Sequence, residues 1–200
     1  MAADPWLWIL AGPNGAGKSS SARELLQEAL EIVNPDVLAV RLSPLAPESA
    51  ALSAGREAIK RTRILIAQRR TFAVETTLSG ITFSRTAQRA KSQGFRVGLI
   101  YIGLTSPELA ISRVRGRRAR GGHDVPANDV RRRYARGLQN LVSFTDLADR
   151  ALFYDNSSSK RPLKRILELN DGKTIFRQSR LPDWIRRGLR LGRYRSAKRR

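Results

Sequence analysis

A glycine-rich stretch near the start of the chain, GPNGAGKSS at residues 12–20, constrains the fold more than any other feature. It fits the pattern G-x-x-x-x-G-K-[ST], whose fixed positions are Gly12, Gly17, Lys18 and Ser19. A short apolar run precedes it, as expected of a buried strand, and a segment with helical periodicity follows it. This strand, loop and helix context favours a phosphate-binding loop over a chance glycine-rich turn.

The physical chemistry of such a loop predicts ATP as its ligand, together with Mg²⁺. Glycines let backbone N–H groups turn toward phosphate oxygens, and the following helix N-terminus favours the same anion. We expect Lys18, facing solvent in the nucleotide-free protein, to reach the β- and γ-phosphates, and the Ser19 hydroxyl to bind Mg²⁺. The predicted nucleotide-binding residues of the loop are Gly12, Pro13, Asn14, Gly15, Ala16, Gly17, Lys18, Ser19 and Ser20.

The composition of the chain excludes several kinds of protein and of functional site. A chain of 200 residues suggests one domain with at most a small appendage. It contains no cysteine, which excludes a disulfide scaffold, a thiolate metal site and a cysteine nucleophile. No apolar run approaches the length that spans a membrane, and the use of ATP favours a cytoplasmic location.

The formal net charge is +21, and it is unevenly distributed. Residues 1–50 hold three basic and six acidic residues, whereas residues 151–200 hold fifteen basic and four acidic ones. Such a field attracts polyanions, including nucleic acid. The basic tail over 191–200 is therefore either a nonspecific arm for nucleic acid or another polyanion, or a solvated segment that aids solubility, and the sequence leaves both open.

Strand and helix signals alternate along the chain, which predicts an α/β fold with a mostly parallel sheet. We predict strands at 6–11, 71–76, 96–104 and 151–156, and a further short strand that ends near residue 33. We predict helices at 17–31, after Pro47, before Gly94, after Ser106, after Pro126 and near Trp184. A hairpin is predicted about residues 170–172. The predicted organisation is a P-loop core over 1–157, with a helical lid at about 106–147. A C-terminal hairpin and short helix over 158–190 follow it, and the basic tail over 191–200 ends the chain.

Two acidic residues lie where strands are predicted to end. Asp36, after the second strand, would lie at the sheet edge where α/β folds bind ligands, and it could take a proton from an acceptor hydroxyl. The alternative for Asp36 is a helix cap or a turn residue. Glu75 ends the strand TFAVE and could steady Mg²⁺ or hold an acceptor hydroxyl, but a solvated strand end is the competing interpretation.

The segment 113–134 places many arginines on two helices around a Gly-Gly loop. Arginines on a flexible lid neutralise charge on a transferring phosphoryl group, although most of these must form a solvated helix face. His123, the single histidine of the chain, lies in this loop, and we favour a structural role for it over phosphate binding.

Several motifs in order resemble the short bacterial members of the zeta-toxin family of P-loop kinases. They are GPNGAGKSS, NPD followed by RLSP, AGREAI, FAVETTLSG, GLTSPELAISRV, GGHDVP, RRYARGLQNL and YDNS. They cover roughly residues 7–157, and together they are specific, whereas only the phosphate loop is specific by itself. The resemblance implies a nucleotide-kinase-like sheet with a helical lid and ATP/Mg²⁺-dependent phosphorylation of a hydroxyl.

The resemblance also implies roles for individual residues. Asp36 matches the general base, Glu75 and Thr77 match the segment that lines the acceptor pocket, and Asn156 lies where such kinases bind adenine. Arg117 and Arg133 match the lid arginines, with Arg120 and Arg132 as neighbours that could take their place. The predicted catalytic residues are Asp36, Lys18, Arg117 and Arg133; the predicted acceptor-binding residues are Asp36, Glu75 and Thr77; the predicted metal ligands are Ser19 and Glu75.

The acceptor is the open part of this interpretation. The family's best-known acceptor is UDP-N-acetylglucosamine, but the chain lacks the longer insertions that shape that pocket in the classical toxins, and Arg118 stands where the family usually has an apolar residue. The resemblance also implies an antitoxin protein as a partner. The alternatives are a kinase of nucleotides or nucleic-acid ends, and an ATP-gated nucleic-acid-binding protein that needs only the loop and the basic tail.

Overall fold

The computed structural model describes residues 3–26, 30–122, 124–160, 162–189 and 194. His123 and most of the tail over 191–200 lie outside these residues. The predictions for both therefore remain predictions.

Within the described part of the chain, seven strands form one sheet. The strands are β1 (Trp6–Ala11), β2 (Glu31–Val33), β3 (Phe72–Thr76), β4 (Arg96–Gly103), β5 (Arg150–Asp155), β6 (Lys164–Asn170) and β7 (Lys173–Arg177). Their order across the sheet is β2-β3-β1-β4-β5-β6-β7. The first five in this order run parallel, and β6 and β7 are antiparallel to their neighbours. This confirms the predicted α/β fold with a mostly parallel sheet.

The helices connect and cover these strands. They are α1 (Lys18–Leu25), α2 (Pro35–Leu42), a 3₁₀ turn (Pro47–Ala50), α3 (Ala51–Ala67), α4 (Thr82–Ser92), α5 (Pro107–Arg118), α6 (Ala127–Leu147) and α7 (Asp183–Gly188). The predicted start signals hold in α5, because the Ser106 hydroxyl accepts the Leu109 N–H at 3.2 Å and Pro107 occupies the first turn. The helices α5 and α6 make up the segment that the sequence predicts to be a helical lid, and we refer to this segment as the lid.

Burial of both sheet faces explains why the central strands are continuously apolar. Leu7 and Ile9 of β1 belong to one buried cluster, whereas Leu10 of the same strand belongs to the other. In β4, Leu99 and Ile100 divide between the clusters in the same way. Successive side chains of a strand point to opposite faces, so helices on both faces require apolar residues at every position.

The strand register gathers the predicted functional residues at one edge of the sheet. Leu10, just before the glycine loop, is paired with Glu75 of β3. Val33, the last residue of β2, is paired with Val74, which places the segment containing Asp36 beside Glu75. Because these strands are parallel, all their carboxyl ends lie at the crevice where open α/β sheets bind ligands.

Two sequence predictions about this region are wrong in detail. The first helix does not continue to residue 31: it ends at Leu25, Leu26 is extended, and Glu31 begins β2. Pairing of β2 with β3 requires extended backbone, and this overrides the helical propensity of the segment. The second is an omission, since the sequence interpretation placed no helix over Pro35–Leu42, although Asn34 and Pro35 form a start signal for α2.

The C-terminal hairpin extends the core sheet, because β6 pairs with β5. Helix α7 docks on the same sheet through Trp184, which is 2% exposed. Its ring lies against Gly103, where a Cβ atom would collide with it, and 5.4 Å from the ring of Tyr101. The indole N–H donates to Asp155 Oδ1 at 2.9 Å, so this large side chain is both packed and hydrogen-bonded.

We expect Trp184→Ala to lower the free energy of unfolding by about 3–5 kcal/mol, because it leaves a large cavity above Gly103. Chemical denaturation measures this change. The matched control is Arg186→Ala on the same helix, whose side chain is 67% exposed, and it should change stability by less than about 0.5 kcal/mol. A loss below about 1 kcal/mol for Trp184→Ala would contradict the docking of α7 on the sheet.

Candidate active site

The glycine loop joins β1 to α1 in a conformation that only glycine accommodates well. Gly12, Gly15 and Gly17 have φ angles of 145°, 74° and 88°. A Cβ atom on Gly15 would lie 2.8 Å from the carbonyl oxygen of Ala110 in α5. The loop is therefore packed directly against the lid helix, with its backbone shaped to turn N–H groups toward an anion.

Lys18 does not face solvent, contrary to the expectation from the sequence. Its side chain is buried, and Nζ donates to the carbonyl oxygens of Gly12 at 2.9 Å and Pro13 at 3.1 Å. Glu75 Oε1 lies 3.9 Å from the same nitrogen. A buried ammonium needs such acceptors, and the backbone of the loop supplies them.

Four charged residues from four different elements act electrostatically on Lys18. Burial lowers the pKa of the Lys18 ammonium, while the nearby carboxylates of Glu75 and Asp36 act in the opposite direction. The guanidinium groups of Arg117 and Arg133 lower the pKa further. The structure therefore brings together side chains from β3, α2, α5 and α6 that are far apart in sequence, and these are the residues predicted as catalytic or acceptor-binding.

Ser19 and Glu75 form a pair of hard oxygen donors beside the loop. The Ser19 hydroxyl lies 3.0 Å from each carboxylate oxygen of Glu75, to which it donates, and Glu75 is buried. In the described part of the chain, no group of three or more His, Cys, Asp or Glu residues could hold a metal ion. Two donors fit Mg²⁺, which binds through one or two protein oxygens and completes its shell with phosphate and water.

An orphaned polar atom in the loop also fits a bound ligand. Asn14 is 5% exposed, and its Oδ1 atom is the one buried side-chain oxygen or nitrogen among the described residues that has no hydrogen-bond partner. A buried acceptor without a donor is costly. A ligand or an ordered water that donates to Asn14 would remove this cost.

Asn156 supports the loop from the end of β5. Its Nδ2 atom donates to the Ala16 carbonyl at 2.9 Å, and its Oδ1 atom accepts the Leu163 N–H at 3.0 Å. The predicted contact of Asn156 with adenine stays a prediction. The structure adds a function that the sequence did not suggest, which is to fasten the loop to the sheet.

Asp36 lies in the first turn of α2 but does not cap it. The Asn34 side chain is the cap, since its Oδ1 accepts the N–H groups of Asp36 at 2.9 Å and Val37 at 3.4 Å. The carboxylate of Asp36 is exposed and forms no hydrogen bond or ion pair with any described residue. It is therefore available to a ligand, and the helix-cap alternative for Asp36 is wrong.

Acidic neighbours hold several of the other lid arginines. Arg132 pairs with Asp129 at 2.8 Å and Arg118 pairs with Asp124 at 2.7 Å. Arg118 is exposed, which suits a charge at a position where the resembling family has an apolar residue. Arg117 and Arg133, in contrast, are close enough to Lys18 to affect its pKa.

A clamp between the lid and the loop after β3 was missed by the sequence interpretation. Leu78 is buried with a φ angle of 56°, an unusual conformation for leucine, and its carbonyl accepts the Asn140 side-chain N–H at 2.7 Å. Thr77, whose hydroxyl lies 2.9 Å from that of Ser79, passes close to Gly137 of α6. A glycine in the middle of a 21-residue helix was the available signal.

We expect Gly137→Ala to destabilise the protein by about 1–3 kcal/mol, although alanine is normally the better helix former. The new Cβ atom would lie 2.6 Å from the Thr77 carbonyl oxygen, so the loop or α6 must shift. Gly55→Ala in α3 is the control, because no atom lies within 4 Å of its Cβ position, and it should stabilise by up to about 1 kcal/mol. Chemical denaturation measures both changes in the free energy of unfolding, and equal changes for the two variants would contradict the close approach of Gly137 to Thr77.

Comparisons with known proteins agree with this geometry. Residues 7–138 match the family AAA_33, described as an AAA domain. An uncharacterized protein of Haemophilus influenzae is 36% identical over 136 residues, which are 64% of this chain and 96% of that protein.

Solved structures with the same fold are less similar to this chain in sequence than the Haemophilus influenzae protein is. One, from work on the PezAT chromosomal toxin-antitoxin system of Streptococcus pneumoniae, is 20% identical with a TM-score of 0.62, and the match covers 84% of this chain and 72% of that one. Another, AvrRxo1-ORF1:-ORF2 with ATP, is 18% identical with a TM-score of 0.67 and is matched over 86% of this chain and 60% of that one. At these identities the likeness shows the fold alone, a mostly parallel α/β sheet with a phosphate-binding loop after its first strand.

The described residues include no helix with both the length and the apolar character needed to cross a membrane.

Proposed function

The chain belongs to the AAA domain family AAA_33, and we propose that it is an ATP-dependent kinase that transfers the γ-phosphate to a hydroxyl group of a small-molecule acceptor. The observation that carries this proposal is the grouping of acid and base beside the phosphate loop: Glu75 lies 3.9 Å from Lys18, and Asp36 and Arg133 line one groove. A protein that only bound ATP would need the loop, but it would not need an unpaired carboxylate beside it.

Each of these residues has a distinct task in the proposed reaction. Lys18 exchanges its backbone acceptors for the β- and γ-phosphate oxygens, and Arg117 and Arg133 neutralise the charge on the transferring group. Asp36 accepts the proton of the acceptor hydroxyl, whose oxygen bonds to the γ-phosphorus as the bond to the leaving ADP oxygen breaks. Ser19 and Glu75 would hold Mg²⁺, which would supply neutralisation of the phosphate charge.

The finer proposal is a zeta-toxin-like kinase that acts in the cytoplasm. It is supported by the ordered motifs of the sequence and by the fold shared with a protein from a toxin-antitoxin system. Under this proposal the partner is an antitoxin protein, and UDP-N-acetylglucosamine is the acceptor that the resemblance implies. Thr77 would line the acceptor pocket together with Glu75.

The direct test is transfer of label from γ-labelled ATP to a pool of small molecules extracted from bacterial cells. The expected result is a new labelled compound, distinct from inorganic phosphate, that forms only with the protein present. Label released solely as inorganic phosphate would show an ATPase and would contradict the kinase proposal.

The net charge of +21 favours a second candidate, in which the acceptor is a nucleotide or a nucleic-acid end, or in which ATP gates nucleic-acid binding. Its signature is an affinity for nucleic acid that falls steeply with salt, since Lys and Arg contacts release counterions. Labelled oligonucleotide ends in the same transfer assay would favour the nucleic-acid kinase over the small-molecule kinase.

A further inference from the structure

A groove of about 300 Å³ lies between the lid and the small helical unit that follows β2. Its walls come from α2, from the 3₁₀ turn and the start of α3, and from residues 124–133 of the lid. Asp36, the proposed base, and Arg133, a proposed phosphate-binding arginine, both line it. The groove therefore lies where an acceptor hydroxyl would meet the γ-phosphate.

The lining of this groove is acidic, although the chain as a whole is strongly basic. Its charged residues are Asp36, Glu48, Asp124, Asp129 and Arg133. Two of the acids are neutralised by arginines, since Asp124 pairs with Arg118 and Asp129 pairs with Arg132.

The other two acids, Asp36 and Glu48, form no ion pair with any of the residues that the structure describes. Arg133 is the one basic residue of this lining, and under the proposed function it contacts the phosphates of ATP, which neutralise its charge. When ATP is bound, the acceptor end of the groove therefore carries net negative charge.

The volume of the groove gives a second and independent constraint on the acceptor. Ligand pockets range from about 300 to 1,000 Å³, so this groove is at the lower end of that range. It has room for a single sugar-sized ring. A nucleotide sugar would have to place a second sugar, a base and two negatively charged phosphates outside the groove or against its carboxylates.

We propose that the acceptor is a positively charged, hydroxyl-rich molecule of monosaccharide size, such as an amino sugar or an aminocyclitol, and not an anionic nucleotide sugar. This inference rests on the proposed kinase function, and it replaces UDP-N-acetylglucosamine, the acceptor that the resemblance implies. A hydroxyl group of the acceptor faces Asp36, and its ammonium group pairs with Glu48, which the structure leaves without a partner. The same carboxylates repel phosphorylated sugars, so specificity comes from repulsion as well as attraction.

The test fractionates the small-molecule extract by charge before the transfer assay. Ion exchange separates it into cationic, neutral and anionic fractions, and each is incubated with the protein and γ-labelled ATP. The expected result is a labelled product from the cationic fraction. Transfer confined to the neutral or the anionic fraction would overturn the inference while leaving the kinase function intact, whereas no transfer from any fraction would overturn both.

Glu48→Gln tests the pairing directly. It should reduce transfer to the cationic fraction by about fivefold at limiting acceptor, the size expected when one partially solvated charge pair is lost. The matched control is Glu57→Gln, an exposed position of α3 outside the groove, which removes the same charge from the protein. Equal rates for the two variants would overturn the role of Glu48, and unchanged melting temperatures would exclude unfolding as the cause of a loss.

Discussion

Replacing Lys18 with alanine is expected to reduce ATP turnover by a factor of at least about 100, because a charged group that stabilises the transferring phosphate is lost from a water-poor site. Lys18 is buried against the carbonyl oxygens of Gly12 and Pro13. It is therefore held at the mouth of the loop that would receive the phosphates. Steady-state release of ADP from ATP, with and without the cell extract, measures the effect.

The fold should survive this change. Burial lowers the pKa of Lys18, so the folded protein already disfavours the charge that the substitution removes. Lys60→Ala, an exposed lysine on α3, is the control for the loss of one positive charge. Turnover by Lys18→Ala within about tenfold of the unchanged protein would contradict the assignment of the phosphate loop.

The sequence predicted the sheet well because each central strand is a short apolar run followed by a turn signal. The loop itself was predictable because its glycines follow from the backbone that a phosphate requires. The short strand that ends at Val33 was predicted, but the end of the first helix was not, since Glu31 begins this strand through pairing with Phe72. Such pairing is a long-range effect that local propensity does not contain.

The candidate site was predictable in its residues but not in its contacts. Motif positions gave Asp36, Glu75 and the lid arginines. The burial of Lys18 was not predictable, because it depends on backbone carbonyls that carry no sequence signal. The attachment of Asn156 to Ala16 depends likewise on the final packing of β5 against the loop.

The acidic groove illustrates the same limit. Glu48 and Asp129 lie 81 positions apart and on different elements, and nothing in either neighbourhood marks them as a pair. The chain's net charge of +21 suggested an anionic partner, whereas the lining of the groove suggests a cationic one. Net charge describes the long-range field of a protein, but a site is selected by the few groups within contact distance.

Replacing Asp36 with asparagine is expected to reduce phosphoryl transfer by a factor of about 100 to 10,000, the usual contribution of a general base, while ATP still binds. Asparagine keeps the shape of the side chain and its hydrogen bonding but cannot accept the hydroxyl proton. Asn34 caps α2 through the backbone N–H of residue 36, so the substitution should leave the helix intact. Transfer of label to the extract and the Kd of an ATP analogue are measured on the same preparation.

The control for this experiment is Asp171→Asn in the turn between β6 and β7. It makes the same chemical change in an exposed residue with a φ angle of 47°, which asparagine tolerates, and outside the groove. Transfer by Asp171→Asn should equal that of the unchanged protein. If Asp36→Asn transfers phosphate at a similar rate, the base lies elsewhere. If it loses ATP affinity as well, Asp36 acts on the nucleotide side of the site, through its charge near Lys18, and is not the acceptor's base.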